Sequence, residues 1–265
     1  MRHRLRAGFF HLCLSAAIAA LVFLPIYFIW YPDVLYESAG GRDLFLLIVS
    51  VDVTLGPLIT TIVYVPGKWG LKFDLIVIGT LQMMALAFGV HVLFESRPVN
   101  IVFVKDRFEL VRANEYPEGE LEKLSSGAHG SLTWTGPRIV GAKLPTDAKE
   151  RTDLMFSTIG GGPDVHLLPR YYVPYDEVRP LAKQKAEPVK KLRERNPGAA
   201  NAAEIAAVVA STGRKEDDLL FLPMRAGKSD LTIFIDAKTG TIVKISSIKP
   251  WLRSRKILRR STTAE

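Results

Sequence analysis

The sequence predicts a membrane protein with three transmembrane α-helices, followed by an α+β extracytoplasmic domain with a C-terminal antiparallel β-meander. Three apolar stretches lie within residues 1–96, and each reaches the roughly 20 residues that a helix needs to cross a bilayer. Beyond them, helix-like and strand-like segments follow in separate groups, which is typical of an α+β domain.

Charge divides the chain at the same place. Residues 1–96 hold six basic and six acidic residues, so the formal net charge of +8 lies entirely in residues 97–265. We therefore predict a three-helix transmembrane bundle over 1–96, an α+β domain over 97–250 and a basic C-terminal tail over 251–265. A basic soluble part attracts anionic lipid, acidic proteins or nucleic acid. Because the domain is tethered to a membrane, we predict the lipid bilayer as a partner and no nucleic acid.

The predicted spans cover about 8–30, 43–65 and 73–94. A cleaved signal peptide is the alternative for the first, because Ala17, Ile18 and Ala19 resemble a small-residue cleavage site. The apolar stretch continues well past that point, whereas the apolar region of a signal peptide runs for ~7–15 residues. We therefore expect this helix to be retained.

Basic residues in the short connections set the predicted orientation. Three arginines precede the first span and two lysines lie between the second and third, whereas Arg42 alone lies between the first and second. Since cytoplasmic loops are enriched in Lys and Arg, this five-to-one excess puts the N-terminus in the cytoplasm and the domain outside. Tyr31 and Trp69, near span ends, fit an interfacial aromatic belt.

Asp52, near the middle of the second span, is the strongest candidate for a functional residue. A carboxylate at membrane depth is costly, so it faces protein or water and often marks function. Gly56 and Thr60 follow at intervals of four and share its helix face. Stripes of small and polar residues are where membrane helices approach closely. The candidate partner-binding residues are Asp52, Thr54, Gly56, Pro57, Thr60 and Gln82.

Three roles are open for this stripe. It can fix packing within the bundle, receive the membrane helix of a partner, or join a proton relay. Gln82 and His91 in the third span are the predicted hydrogen-bonding partners of Asp52, with Gln82 at similar depth by the rise of ~1.5 Å per residue. One carboxylate and a distant histidine make a poor relay, so the first two roles are favoured.

Three short apolar runs give the clearest strand signal: 219–225, 230–236 and 241–247. Turn residues join them, so they predict the β-meander, with Ile233 and Ile235 directed at a core. Upstream, the patterns predict strands at 101–104, 108–111 and 132–134, and helices at 149–158, 176–195 (interrupted by Pro188) and 199–210.

The sequence holds no complete enzyme motif. Gly227-Lys228-Ser229 resembles a phosphate-binding loop, but that loop needs a glycine five residues before its Gly-Lys pair, where this chain has Leu222. Cys13 is the single cysteine, which excludes an internal disulfide and a thiolate metal cluster. We predict no catalytic residue, no metal site and no cofactor, and a protein that is not an enzyme.

Three segments of the membrane part resemble the type IV pilin accessory protein family: WYPDVLYESAGG, VDVTLGPLITTIVY and PGKWGLKFDLIVIGTLQ. The likeness continues in RPVNIVFVKDRFELVRANEY, LMFSTIGGGPDVHLLPRYYVPY and DLTIFIDAKTGTIVKISSIKPW. It covers most of the chain, is strongest over 30–116, and does not extend beyond Trp251.

The resemblance implies a multi-pass protein of the bacterial inner membrane with a periplasmic domain, acting as a pilin-specific assembly chaperone. It implies the type IV major pilin as partner, bound through its membrane helix, its globular head or both, and it supplies no catalytic residue. The alternative from another class is a membrane-anchored receptor or sensor whose periplasmic domain binds a small ligand in a deep apolar pocket.

The loop charges make a prediction about topology. Alkaline phosphatase folds only outside the cytoplasm, so a fusion after residue 251 should be active and one after residue 70 inactive. Activity measured in whole cells checks this, with fusion-protein levels as the control. The reverse pattern would overturn the orientation.

Overall fold

The computed structural model describes residues 1–122 and 132–251. The chain divides into two compact units. The first comprises the described residues within 1–100, 111–118 and 131–138, and the second those within 101–110, 119–130 and 139–265. From residue 252 onward, the predicted basic tail lies outside the described residues.

Three helices in the first unit are long and apolar enough to cross a membrane, as predicted. Helix α1 spans Arg2–Pro25 and continues through a π-helical turn at Ile26–Trp30. The short helix α2 (Leu35–Ser38) leads into α3 (Gly41–Val63), and α4 spans Leu71–Glu95. The observed bounds of α3 and α4 agree with the predicted spans to within a few residues, whereas α1 begins earlier, at Arg2.

Local backbone chemistry explains where α1 widens and where α3 and α4 begin. Pro25 has no N–H to donate, and just after it the helix widens: the Tyr31 N–H donates to the Ile26 carbonyl at 2.8 Å. Gly40 and Gly70 immediately precede α3 and α4, with φ of 85° and 84°. Glycine adopts this left-handed region without strain, so the chain can turn tightly before each helix.

Helix α3 is the centre of the bundle, since it packs against both α1 and α4. Glycines on the flanking helices make these contacts close. A side chain on Gly8 of α1 would overlap that of Thr61, and a Cβ on Gly89 of α4 would lie 2.6 Å from Ile48. The outward faces carry exposed large apolar side chains, which suits contact with lipid.

A buried tyrosine and a buried arginine close the end of the bundle where α1 and α4 finish. Tyr31 is fully buried, and its hydroxyl donates to the Leu93 carbonyl at 2.9 Å. Arg97 donates to the Thr133 carbonyl at 3.0 and 2.8 Å and to the Phe94 carbonyl at 2.6 Å. Burial raises the pKa of Tyr31 and lowers that of Arg97. Tyr31 is therefore a packing residue, whereas Trp69, the other residue predicted for the aromatic belt, is exposed.

A mixed sheet of eight strands follows the helices, with the order β4-β3-β1-β2-β6-β7-β8 and β5 paired to β6. Strand β2 runs parallel to β6, with Phe108 opposite Met224, while β6, β7 and β8 pair antiparallel. The strands are β1 (Pro98–Val104), β2 (Arg107–Arg112), β3 (Arg138–Ala142), β4 (Tyr172–Pro174), β5 (Glu187–Pro188), β6 (Leu219–Arg225), β7 (Leu231–Asp236) and β8 (Ile242–Ser246).

Among the described residues, four α-helices accompany the sheet: α5 (Ala148–Ile159), α6 (Tyr175–Lys185), α7 (Val189–Arg195) and α8 (Ala199–Ser211). Leu192 of α7 and Ile205 of α8 pack with Phe221 and Phe234, which alternate along β6 and β7 with residues of the opposite face. Ile233 and Ile235 are fully buried as predicted. Since Phe234 between them is also fully buried, both faces of β7 are covered.

Three sequence predictions need correction here. The antiparallel meander is confirmed only in part, because its strands belong to a mixed sheet in which β6 also pairs parallel with β2. The strand predicted at 132–134 is absent from the described residues, and the strand of this region lies at β3 instead. Pro188 separates two helices rather than interrupting one, since Glu187 and Pro188 pair with β6.

Burial raises the pKa of the Glu109 carboxyl on β2 to about 7. Arg225 and Arg107 lower this pKa, whereas Asp164 and Asp230 raise it further. Arg225 lies opposite Glu109 in the sheet but approaches it only to 4.0 Å. Ionisation of Glu109 is therefore less favourable in the folded state than in the unfolded chain.

Glu109 should make the protein less stable as pH rises. The folded state binds the extra proton between the unfolded pKa of about 4.5 and the folded value of about 7, so stability falls across that window. Glu109→Gln should therefore become more stable than the wild type by about 1–2 kcal/mol at pH 8, since solvent screens part of the effect, and should match it near pH 4. Melting of both full-length proteins in detergent at each pH measures this, and a pH-independent difference would contradict it.

Candidate functional site

The predicted stripe on α3 faces the interior of the bundle. Asp52, Gly56 and Thr60 are all buried, with exposed fractions of 9% for Asp52 and 3% for Thr60. Their spacing of four residues keeps them on one helix face, and that face meets the neighbouring helices. The sequence therefore located the buried side of α3 correctly.

Gly56 is the point of closest approach to α4. A side chain on Gly56 would overlap the amide of Gln82, and the Gln82 amide nitrogen donates to the Asp52 backbone carbonyl at 3.3 Å. The predicted depth match of Asp52 and Gln82 is thus observed, but Gln82 bonds the backbone rather than the carboxylate. His91, the other predicted partner, is exposed.

Thr60 belongs to a second contact, made with α1. His11 Nδ1 lies 2.6 Å from Thr60 Oγ1 across the helix pair. Sequence reasoning noted polar groups in the spans but did not pair these two. The sequence signal that could have paired them is their similar depth in the membrane. Helices α1 and α3 are antiparallel, so His11 near the start of α1 lies beside Thr60 near the end of α3.

Thr54 and Pro57 do not join the buried cluster. Thr54 is exposed, and its hydroxyl donates to the Ser50 carbonyl at 2.5 Å within the same helix. The Pro57 carbonyl accepts from the Thr61 hydroxyl at 2.8 Å, so that the helix keeps its polar groups satisfied around the proline. Of the six candidates, Asp52, Gly56 and Gln82 lie together, and Thr60 lies one helical turn further along α3. The Thr54 hydroxyl and the Pro57 carbonyl make hydrogen bonds within α3 only.

The second unit carries an exposed apolar surface on α5. No residue of this helix is fully buried, and Met155, Phe156 and Ile159 are 53%, 64% and 75% exposed. Beside it lies an open cleft of about 390 Å³, which Leu144 and Val165 also line. Apolar patches of this kind on soluble domains often contact other proteins. Sequence reasoning predicted the helix but not this surface.

Comparison with known proteins relates the sequence of this chain to fimbrial assembly proteins. The family model "Fimbrial assembly protein FimB" matches residues 1–37. The fimbrial assembly protein of serogroups C1 and C2 of Dichelobacter nodosus is 34% identical over 115 residues, which are 42% of this chain and 86% of that protein. The chain belongs to the fimbrial assembly protein family.

A longer relative in this family extends the match into the soluble domain. The fimbrial assembly protein of serogroup I of Dichelobacter nodosus is 26% identical over 227 residues, which cover 83% of this chain and 85% of that protein. The serogroup E1 protein is 25% identical over the same shares. No solved structure matches the chain. The resemblance to type IV pilin accessory proteins is thereby confirmed.

Gly56 of α3, which faces α4, and Gly79 of α4, which faces open space, make a matched test of bundle packing. Gly56→Leu must displace Gln82 and should lower the level of the protein in membranes severalfold, because close helix packing is lost. Gly79→Leu on α4 is the control, since a Cβ there meets no atom within 4 Å. Immunoblotting of membranes measures both, and a normal level of Gly56→Leu would contradict the observed packing.

Proposed function

We propose that this protein is an inner-membrane pilin accessory protein that binds the type IV pilin subunit and aids its stability and its assembly into pili. Membership of the fimbrial assembly family carries this proposal. The match to relatives named for fimbrial assembly includes most of the soluble domain as well as the membrane helices, so the likeness is not that of membrane helices alone.

The architecture suits such a partner. In the pilin accessory family, the pilin waits in the inner membrane on an apolar helix, with its globular head on the periplasmic side. Three helices able to cross the membrane, joined in one chain to a sheet domain, can contact both parts. The loop charges support the same orientation, with the N-terminus in the cytoplasm and the domain in the periplasm.

The proposed role is one of binding, without a catalytic step, cofactor or metal. In the second unit, the exposed face of α5 formed by Met155, Phe156 and Ile159 is the surface that we assign to the pilin head. The cleft beside it is open, and Met155 and Ile159 of this face line it. A receptor for a small ligand would instead enclose most of the ligand surface, so the surface favours a protein partner.

Crosslinking in membranes tests the proposal. Tagged protein, crosslinked in cells that make the pilin of the same organism, should recover that pilin, and cells without the pilin serve as the control. Deletion of the protein should lower pilin abundance and surface pili together. If pilin level and piliation are unchanged by deletion and no pilin is recovered, the proposed function is wrong.

A further inference from the structure

A loop that precedes β3 packs against the end of the helix bundle. This loop, residues 132–137, belongs to the first unit together with the three long helices. Arg97, just after α4, holds it by donating two hydrogen bonds to the Thr133 carbonyl. Gly136 lies against the turn that ends the first span, since a Cβ on it would lie 3.0 Å from the Ile29 carbonyl oxygen. The loop is therefore fixed to the ends of both α1 and α4.

Trp134 of this loop extends a row of aromatic rings at the bundle end. The ring centroids of Trp30 and Phe94 are 5.0 Å apart, and those of Phe94 and Trp134 are 5.2 Å apart. Trp30 and Phe94 lie in the last turns of the first and third candidate spans. The ends of membrane helices lie at the interface between the acyl chains and water, where tryptophan is enriched. Trp134 is one ring contact away from that level.

The Trp134 side chain is exposed although the loop that carries it is well fixed. Thr133 is buried, and its hydroxyl donates to the Thr135 carbonyl at 2.8 Å. Trp134 itself is 77% exposed, and its indole N–H makes no hydrogen bond with the described residues. A tryptophan ring is apolar and its N–H is polar, so it suits a place where one side is apolar and the other is hydrated.

The neighbours of the loop identify lipid as the molecule that meets this ring. Phe28 and Ile29, at the end of the first span, are 67% and 43% exposed. When that helix crosses a bilayer, such outward apolar side chains lie in the upper part of the acyl chains. Gly136 packs on the Ile29 backbone, so lipid around these two residues also reaches the loop.

We propose that the loop 132–137 is an interfacial anchor, which rests on the leaflet where α1 and α4 end. The Trp134 ring lies among the upper acyl chains, and its N–H donates to a lipid carbonyl or phosphate oxygen. Strand β3 begins at Arg138, directly after the loop, so the chain has a membrane contact in addition to its three long helices. This lipid contact goes beyond pilin binding and does not depend on it.

Tryptophan fluorescence of the full-length protein in proteoliposomes tests the anchor. Trp30, Trp69 and Trp251 are replaced by Phe, so that Trp134 is the single emitter. Phospholipids brominated near the headgroup should quench its emission severalfold more than phospholipids brominated near the bilayer centre, and acrylamide in the water should quench it weakly. If the triple variant does not accumulate, the difference in quenching between the wild type and Trp134→Phe measures the same contribution.

A fluorophore on the neighbouring residue tests whether the ring holds the loop at the interface. In a Cys13→Ser background, Thr135→Cys carries a polarity-sensitive dye on an exposed position. Its emission in proteoliposomes should be shifted to the blue, and Trp134→Asp should abolish this shift because a carboxylate favours water over acyl chains. Trp134→Tyr is the matched control and should keep the shift. A shift that survives Trp134→Asp would overturn the anchoring role of the ring.

The quenching data also decide between lipid and the other molecules that could cover Trp134. Strong quenching by acrylamide without quenching by brominated lipid would leave the ring in water and overturn the proposal. Shielding from both quenchers would assign the ring to a protein contact, and its loss on dilution of the protein in lipid would identify a second copy of this chain; either result overturns the proposal. Because the protein is reconstituted without pilin, these outcomes leave the proposed accessory role untouched.

Discussion

The close approach of α3 and α4 at Gly56 is the constraint on which the membrane part depends. Any side chain larger than hydrogen would displace the Gln82 amide, which in turn holds the Asp52 backbone carbonyl. With lipid on the outside, apolar residues give helices no preference for one another over lipid, so small and polar residues must supply the specificity. The same helix meets α1 through the contact between His11 and Thr60. One face of α3 thereby organises both neighbours, and this leaves α1 and α4 apart from each other.

At the end of the bundle where α4 finishes, buried polar residues bind backbone carbonyls of the helix end. Arg97 and Tyr31 are buried beside the last turn of α4, and each donates to a backbone carbonyl that the helix end leaves without an intrahelical partner. The guanidinium carbon of Arg97 lies 3.6 Å from the centre of the Phe94 ring, which adds a cation–π contact in a site shielded from water. Thr133, far away in sequence, accepts two further bonds from the same arginine. Through these bonds Arg97 holds the non-helical segment around Thr133 against the end of the bundle, within the first unit.

The sheet domain depends on a parallel pairing between distant strands. Strand β2 near the membrane segment and β6 near the C-terminus lie side by side, and the segment between them contains β3 to β5 and helices α5 to α8. The antiparallel β6, β7 and β8 extend the sheet from that point, and α7 and α8 bury one of its faces. In this arrangement α5 keeps an exposed apolar face, which distinguishes it from the helices that contribute to the core. Core packing alone gives no reason for that exposure, and the proposed function assigns this face to the pilin head.

The sequence by itself determined the features that depend on local pattern. Length and apolarity fixed the three spans, a spacing of four fixed the buried face of α3, and alternation with turn residues fixed strands β6 to β8 to within a few residues. Only the tertiary structure decided which partners these faces meet. The pairing of His11 with Thr60, the burial of Tyr31 and the parallel register of β2 with β6 join residues far apart in the chain, and no local pattern encodes them. The small cavity that Asp52 and Gln82 line is of the same kind, because it exists only where three separate helices leave space between them.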